Sequence, residues 1–146
     1  MDNYGIVDIA WSYAFSALAG FYALAGSGWA PRRALIATLV IVWSLRLGTH
    51  LYRRVMSHHP VEDTRYQALR QNWSANFPAK MAWFFQSQAA SVVVLGIPFF
   101  LIVRNPVAAF HPLEVAGAAL WLLSVCGEAL ADAQLVAFRR DPANRG

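Results

Sequence analysis

The chain has 146 residues, of which 58% are hydrophobic and 14% charged, and its net charge is +4. Soluble domains have about a quarter of their residues charged, so this composition excludes water as the main solvent and points to a lipid bilayer. The positive charge does not imply nucleic acid, because the basic residues fall between apolar stretches instead of gathering into a soluble patch.

Four stretches, at about 6–27, 34–55, 81–103 and 114–138, have the length a bilayer demands. The predicted fold class is all-α: a polytopic transmembrane helix bundle with four spans and a short interfacial helix, forming one membrane domain over residues 1–146. Met1-Asp2-Asn3-Tyr4 has neither the basic flank nor the small-residue cleavage site of a signal peptide, so the first stretch is expected to stay as a span. At its start Asp8, Ser12 and Phe15 share a helical face, with Trp11 at the edge. Asp8 either complements its own helix N-terminus or faces a cavity. Gly26-Ser27-Gly28 and Pro31-Arg32-Arg33 make a short turn that sets the first two spans antiparallel.

Span two carries Arg46, His50 and Arg53 within about 60° of one another around the helix, with Arg54 beside them. Arg53 and Arg54 suit either snorkelling anchors or a cavity mouth; Arg46 is deeper and needs a buried partner or water. Pro60-Val61-Glu62-Asp63 then leads into a helix over about 64–76 that lies in the headgroup region, with Asp63 as its N-cap. Its Tyr66, Leu69, Trp73 and Phe77 form one face, and Arg65, Arg70, Gln71 and Asn72 turn away from it. This helix serves as an interfacial anchor or as a lid over a cytoplasmic cavity. In span three, Pro98 is expected to kink the helix, and Gln88, between Phe84 and Ser91, to hydrogen-bond a neighbouring helix.

Span four holds the strongest anomaly. Glu128, Asp132 and Arg139 fall within about 40° of one another, with Trp121 on the same stripe. A carboxylate at the middle of a spanning helix costs about 2.5–3.5 kcal/mol, so this stripe is expected to face a protected polar cavity. Two acids and a guanidinium in a ladder can orient an amide or ribose and hold a phosphate. The alternative is plain interhelical pairing with Arg46 or His50. The pair His58-His59 is adjacent in the chain, His111 lies on the other side of the membrane, and Cys126 is alone, so no metal is expected.

Arg53, Arg54, Arg65, Arg70 and Lys80 lie between spans two and three, and Arg139, Arg140 and Arg145 follow span four; Arg32, Arg33 and Arg104 lie on the opposite side. The positive-inside rule then makes both termini cytoplasmic, with the chain in the cell inner (plasma) membrane. The final Asp141-Pro-Ala-Asn-Arg-Gly146 has no apolar closure and reads as a cut, which predicts a fragment of a longer protein.

Five strings occur in order along the chain: Asp8-Ile-Ala-Trp11, Arg46-Leu-Gly-Thr-His-Leu-Tyr-Arg-Arg54, Glu62-Asp-Thr-Arg-Tyr-Gln-Ala-Leu-Arg-Gln-Asn-Trp73, Phe84-Phe-Gln-Ser-Gln-Ala89, and the segment from Glu128 to Gly146. Together they resemble the bacterial membrane proteins of the steroid 5-alpha-reductase-like family. The resemblance implies a multi-helix reductase that binds NADPH on the cytoplasmic side and reduces a C=C bond conjugated to a ketone in a lipid-like substrate, with hydride going to the β carbon. It implies that Asp132 and Arg139 match the acidic and basic positions that hold the dinucleotide, with Glu128 where the steroid enzymes place an amide. Asp8 stands as the counterpart of the carbonyl-contacting acid. The stretch from His50 to Arg54 matches the end of the helix that supplies a ketone-contacting tyrosine; Leu51 or Tyr52 occupies that neighbourhood here, so the tyrosine is not carried over. His50 joins Asp8 as a catalytic candidate, and Arg53 and Arg54 join the cofactor set. Family members carry one more span before this region and a polar loop with two further spans after it, so the fragment is expected to be inactive alone. Besides membrane lipids and the lipid-like substrate, no partner is implied. Two other readings stand beside the reductase: a relative of the isoprenylcysteine-type methyltransferases, which use S-adenosylmethionine, and a non-catalytic membrane scaffold.

Overall fold

The computed structural model describes residues 4–58, 61 and 63–141. The side chain of His58, His59, Pro60, Glu62, and the terminal Met1-Asp2-Asn3 and Pro142–Gly146 strings lie outside the described residues. The fold is all-α, with helices α1 (Ile6–Ala25), α2 (Ala30–His58), α3 (Thr64–Asn72), α4 (Phe77–Val103) and α5 (Pro112–Arg140), and no strand among the described residues. All but α3 are long and apolar enough to cross a membrane, in agreement with four spans and one short helix. The chain divides into two compact units, Met1–Val107 with α1 to α4, and Ala108–Gly146 with α5.

In the first unit, α1 stops where Gly26 turns to an extended conformation, its N–H still donating to the Tyr22 carbonyl at 2.8 Å. The carbonyls left open at that end accept from a side chain of the next helix: Arg33 Nη1 donates to Ala23 O at 2.9 Å and Gly26 O at 2.6 Å. Gly28 then passes so close to the end of α4 that a Cβ there would lie 2.5 Å from Val103 O and 2.6 Å from Asn105 O. Only glycine fits that approach. Its N–H donates to Val103 O at 3.0 Å, which ties the turn to α4.

Helices α1, α2 and α4 pack on one another. The seam between α1 and α2 is built of small residues, as close helix approach in a bilayer requires. Ser44 Oγ donates to the Ser12 carbonyl and accepts from Ser16 Oγ at 2.7 Å. Gly48 lies against the Tyr13 ring, where a Cβ would come within 2.7 Å of Cε1. One turn further on, Phe15, Ala19, Val40 and Val92 form a buried cluster. The Phe15 ring meets Trp11 and Trp43 edge-on at 4.9 Å and 5.5 Å. The α1–α4 contact includes a polar bond, from Trp11 Nε1 to Ser91 Oγ at 2.8 Å. The hydrogen bond expected of the Gln88 side chain is thus made by its neighbour one turn on, while the Gln88 carbonyl accepts from the Ser91 hydroxyl. A serine lies closer to the helix axis and lets an indole N–H reach it directly.

The interfacial helix is shorter than the 64–76 pattern implies. It ends at Asn72, and Asn76 takes a left-handed conformation with φ of 61°. Asparagine tolerates that conformation, and the chain direction changes there so that Phe77 opens α4, with Pro78 in its first turn. The aromatic face nevertheless holds together across the break: Tyr66, Phe77 and Met81 are buried as one cluster, with Tyr4, Leu69, Trp73, Phe84 and Phe85 around them. Helix α4 runs on through Pro98 to Val103.

The second unit is α5. His111 caps it, with Nδ1 accepting from the Leu113 N–H at 3.2 Å, while Glu114 Oε2 accepts from the His111 N–H at 2.9 Å. This reciprocal box stabilises the start of the helix, and Arg139 and Arg140 in the last turn complement the dipole at its end. No residue of α5 is buried, and Leu113, Leu120, Leu122, Leu123, Leu130 and Phe138 are all exposed. So apolar a helix requires lipid or other helices as its solvent.

Candidate functional site

A cavity of about 500 Å³ lies where α1 begins, α2 ends and α3 crosses. Gly5, Asp8 and Trp11 line it from α1 and its approach, Leu51, Arg54 and Val55 from α2, Asp63, Thr64 and Arg65 from the start of α3, and Gln88 from α4. Its walls carry two acids and two arginines at one end of helices that are otherwise apolar, and that concentration of charge makes it the candidate site.

Among the described residues, ion pairs of Arg54 with Asp63 and of Arg65 with Asp8 organise it. Arg54 Nη2 lies 2.6 Å from Asp63 Oδ2, while Asp63 Oδ1 accepts from the Arg65 backbone N–H at 3.0 Å. Asp63 therefore caps α3, as its sequence position predicts, and also ties that cap to α2. Arg65 Nη2 donates to Asp8 Oδ2 and, at 3.0 Å, to the Tyr66 hydroxyl. Its guanidinium also lies over the Tyr66 ring, 4.9 Å from the centroid. Helix α3 is thus held to α2 by one arginine–carboxylate pair and to α1 by the other.

Burial works against the charge on Arg65, but the carboxylate of Asp8 and the phenol of Tyr66 outweigh it and hold the guanidinium above its ordinary value. Tyr66 is fully buried. Burial, followed by the negative charge of Asp8, pushes its hydroxyl up to about 12, with Arg65 pulling the other way. The phenol therefore keeps its proton at physiological pH. The Arg65 side chain remains about half exposed, and its Nε and Nη1 make no hydrogen bond among the described residues. A guanidinium has five N–H donors, so some remain for the oxygen of a ligand.

Of the residues singled out from the sequence, Asp8 and Arg54 come together in this cavity. Arg53 is exposed beside Arg54, and His50 is half-buried one residue before the lining Leu51. Arg46 is half-buried one turn deeper in α2. Glu128, Asp132 and Arg139 belong to the second unit, where Asp132 is half-buried and the other two are exposed. On α5 they share one stripe, with Arg139 about 10 Å further along the axis than Asp132. Among the described residues no three His, Cys, Asp or Glu side chains gather as metal ligands do.

Arg65 and Gln88 were missed as cavity residues, Asp63 was expected only as a cap, and Trp11 only at the edge of a face. Arg65 falls off the aromatic face of α3, which by periodicity alone means headgroup or water. The signal that could have found it is Asp8, a carboxylate at a span boundary with no cation of its own helix nearby, opposite a helix whose first turn carries an arginine.

The whole chain, residues 1–146, matches the family described as a protein of unknown function (DUF1295), and it belongs to that family. No curated protein and no solved structure matches it.

Proposed function

We propose that this member of the DUF1295 family forms part of an NADPH-dependent membrane reductase that reduces a C=C bond conjugated to a ketone in a lipid-like substrate. The observation that carries this reading is the ion-paired cavity of about 500 Å³ at the end of apolar helices. That volume lies within the range of small-molecule sites, about 300–1,000 Å³, and suits the reacting end of an amphipathic enone whose hydrocarbon part stays among the helices. The resemblance of the five strings to steroid 5-alpha-reductase-like proteins supports the same chemistry.

NADPH, when bound, supplies the hydride for the β carbon. As that carbon is reduced, negative charge moves onto the carbonyl oxygen, and a donor already aimed there lowers the barrier. The remaining N–H groups of Arg65 are such donors, held in place by Asp8. The α carbon then takes a proton, for which His50 is the candidate source. A dinucleotide needs cationic donors for its phosphates and acceptors for ribose and amide. Arg53 and Arg54 at the end of α2 have the first chemistry within the first unit, and Glu128, Asp132 and Arg139 on the α5 stripe have both within the second. By the excess of basic residues at one side, the site opens to the cytoplasm of a plasma membrane.

The test uses the full-length protein in nanodiscs. NADPH is expected to bind and to protect Arg139 from arginine-directed modification, and Arg65→Gln to lower enone-dependent turnover by about 10²-fold while NADPH still binds. Absence of NADPH binding overturns the proposal, and binding of S-adenosylmethionine in its place would make the protein a methyltransferase relative. If Asp132→Asn lowers thermal stability without changing turnover, the α5 stripe is scaffold and not cofactor site.

A further inference from the structure

A second groove, which shares no residue with the charged cavity, lies on α4 beside the end of α3. It encloses about 430 Å³ and is lined by Trp73, Ala79, Lys80, Trp83, Phe84 and Ser87. We propose that it binds an anionic glycerophospholipid of the surrounding bilayer, with the phosphate on Lys80 and an acyl chain along Trp83 and Phe84.

The α4 members recur at helical spacing and so follow one side of the helix. From Lys80 to Ser87 they cover about 10 Å along the axis. Lys80 is in the first turn of this span, at the headgroup end, and the aromatic wall continues from it towards the hydrocarbon. Such a sequence of cation, indole and apolar ring matches the order of phosphate, glycerol and acyl chain in a lipid. The wall is fixed in shape, because Trp73 meets Phe84 edge-on at 6.3 Å and Phe84 in turn packs on Tyr66. Trp83 is 75% exposed, which leaves its ring free to lie against a chain. The Lys80 ammonium makes no ion pair or hydrogen bond among the described residues. A zwitterionic headgroup brings its own ammonium to compete there, whereas an anionic one does not, so charge selects the anionic class.

The experiment reconstitutes the full-length protein with brominated phosphatidylglycerol or brominated phosphatidylcholine and reads the fluorescence lost in wild type but not in Trp83→Leu. Quenching by the anionic lipid is expected at about fivefold lower mole fraction, the effect of one lysine at an anionic surface. Lys80→Gln is expected to abolish the preference and Lys80→Arg to keep it. Arg104→Gln, at the other end of α4, is expected to leave it unchanged. Equal quenching by the two lipids overturns the proposal. So does a preference that survives Lys80→Gln or that Arg104→Gln removes as well. The outcome is independent of whether the protein is a reductase, since neither NADPH nor the charged cavity enters the measurement.

Discussion

Ser44 is fully buried at the α1–α2 seam, where its hydroxyl donates to the Ser12 carbonyl and accepts from both the hydroxyl and the N–H of Ser16. Replacing it with alanine keeps the Cβ and its packing and removes only the oxygen. The partners are not wholly stranded. The Ser12 carbonyl keeps the Ser16 N–H of its own helix, and the Ser16 hydroxyl can turn back to that same carbonyl. The loss is therefore that of three interhelical hydrogen bonds. At about 0.6 kcal/mol each on average in a membrane, and about 1.7 at most, Ser44→Ala should cost about 1–2 kcal/mol. The assay is loss of helix signal on titration with a denaturing detergent, run as a double-mutant cycle with Ser16→Ala. The two changes should be non-additive by about 0.5 kcal/mol or more, because they share one network. Ser124→Ala is the control: among the described residues that hydroxyl bonds only to Leu120 O of its own helix, so its removal should change stability by less than about 0.5 kcal/mol. A neutral Ser44→Ala with no coupling to Ser16, or a Ser124→Ala as costly as Ser44→Ala, would refute the view that this seam holds the two helices together.

Two further outcomes are expected. Arg32 is 2% exposed and its Nη1 donates to Asn105 O at 3.1 Å and Val107 O at 2.7 Å, so Arg32→Gln should destabilise the first unit by about 2 kcal/mol or more in the same titration. A loss no larger than that of Arg140→Gln, at the exposed end of α5, would deny Arg32 its fastening role. Tyr66 holds its proton more tightly folded than unfolded, so its contribution to stability is complete below about pH 10 and is lost as pH rises towards about 12. The difference in tyrosinate absorbance between wild type and Tyr66→Phe should therefore appear near pH 12. A midpoint near pH 10 would mean that Tyr66 is open to water.

The four spans were legible in the sequence because length and apolarity are local properties that no tertiary contact has to supply. So was the cap of α3 by Asp63, which depends on a side chain reaching a backbone N–H two residues on. The early stop of α3 was not, since it turns on a left-handed Asn76 within a stretch whose aromatic periodicity runs on unbroken to Phe77. Asp8 and Arg54 stood out singly as charges at the ends of apolar runs. That they line one cavity with Asp63 and Arg65 was decided only when four segments came together, because the partner of Asp8 lies 57 residues away. Periodicity sends Arg65 outward, and the free energy of pairing a carboxylate at the membrane boundary brings it back. The sequence by itself determined the solvent of this protein and the number of its spans, for both follow from the cost of placing each residue in hydrocarbon. The tertiary structure decided which charges meet, for an ion pair depends on distances between helices that composition does not encode.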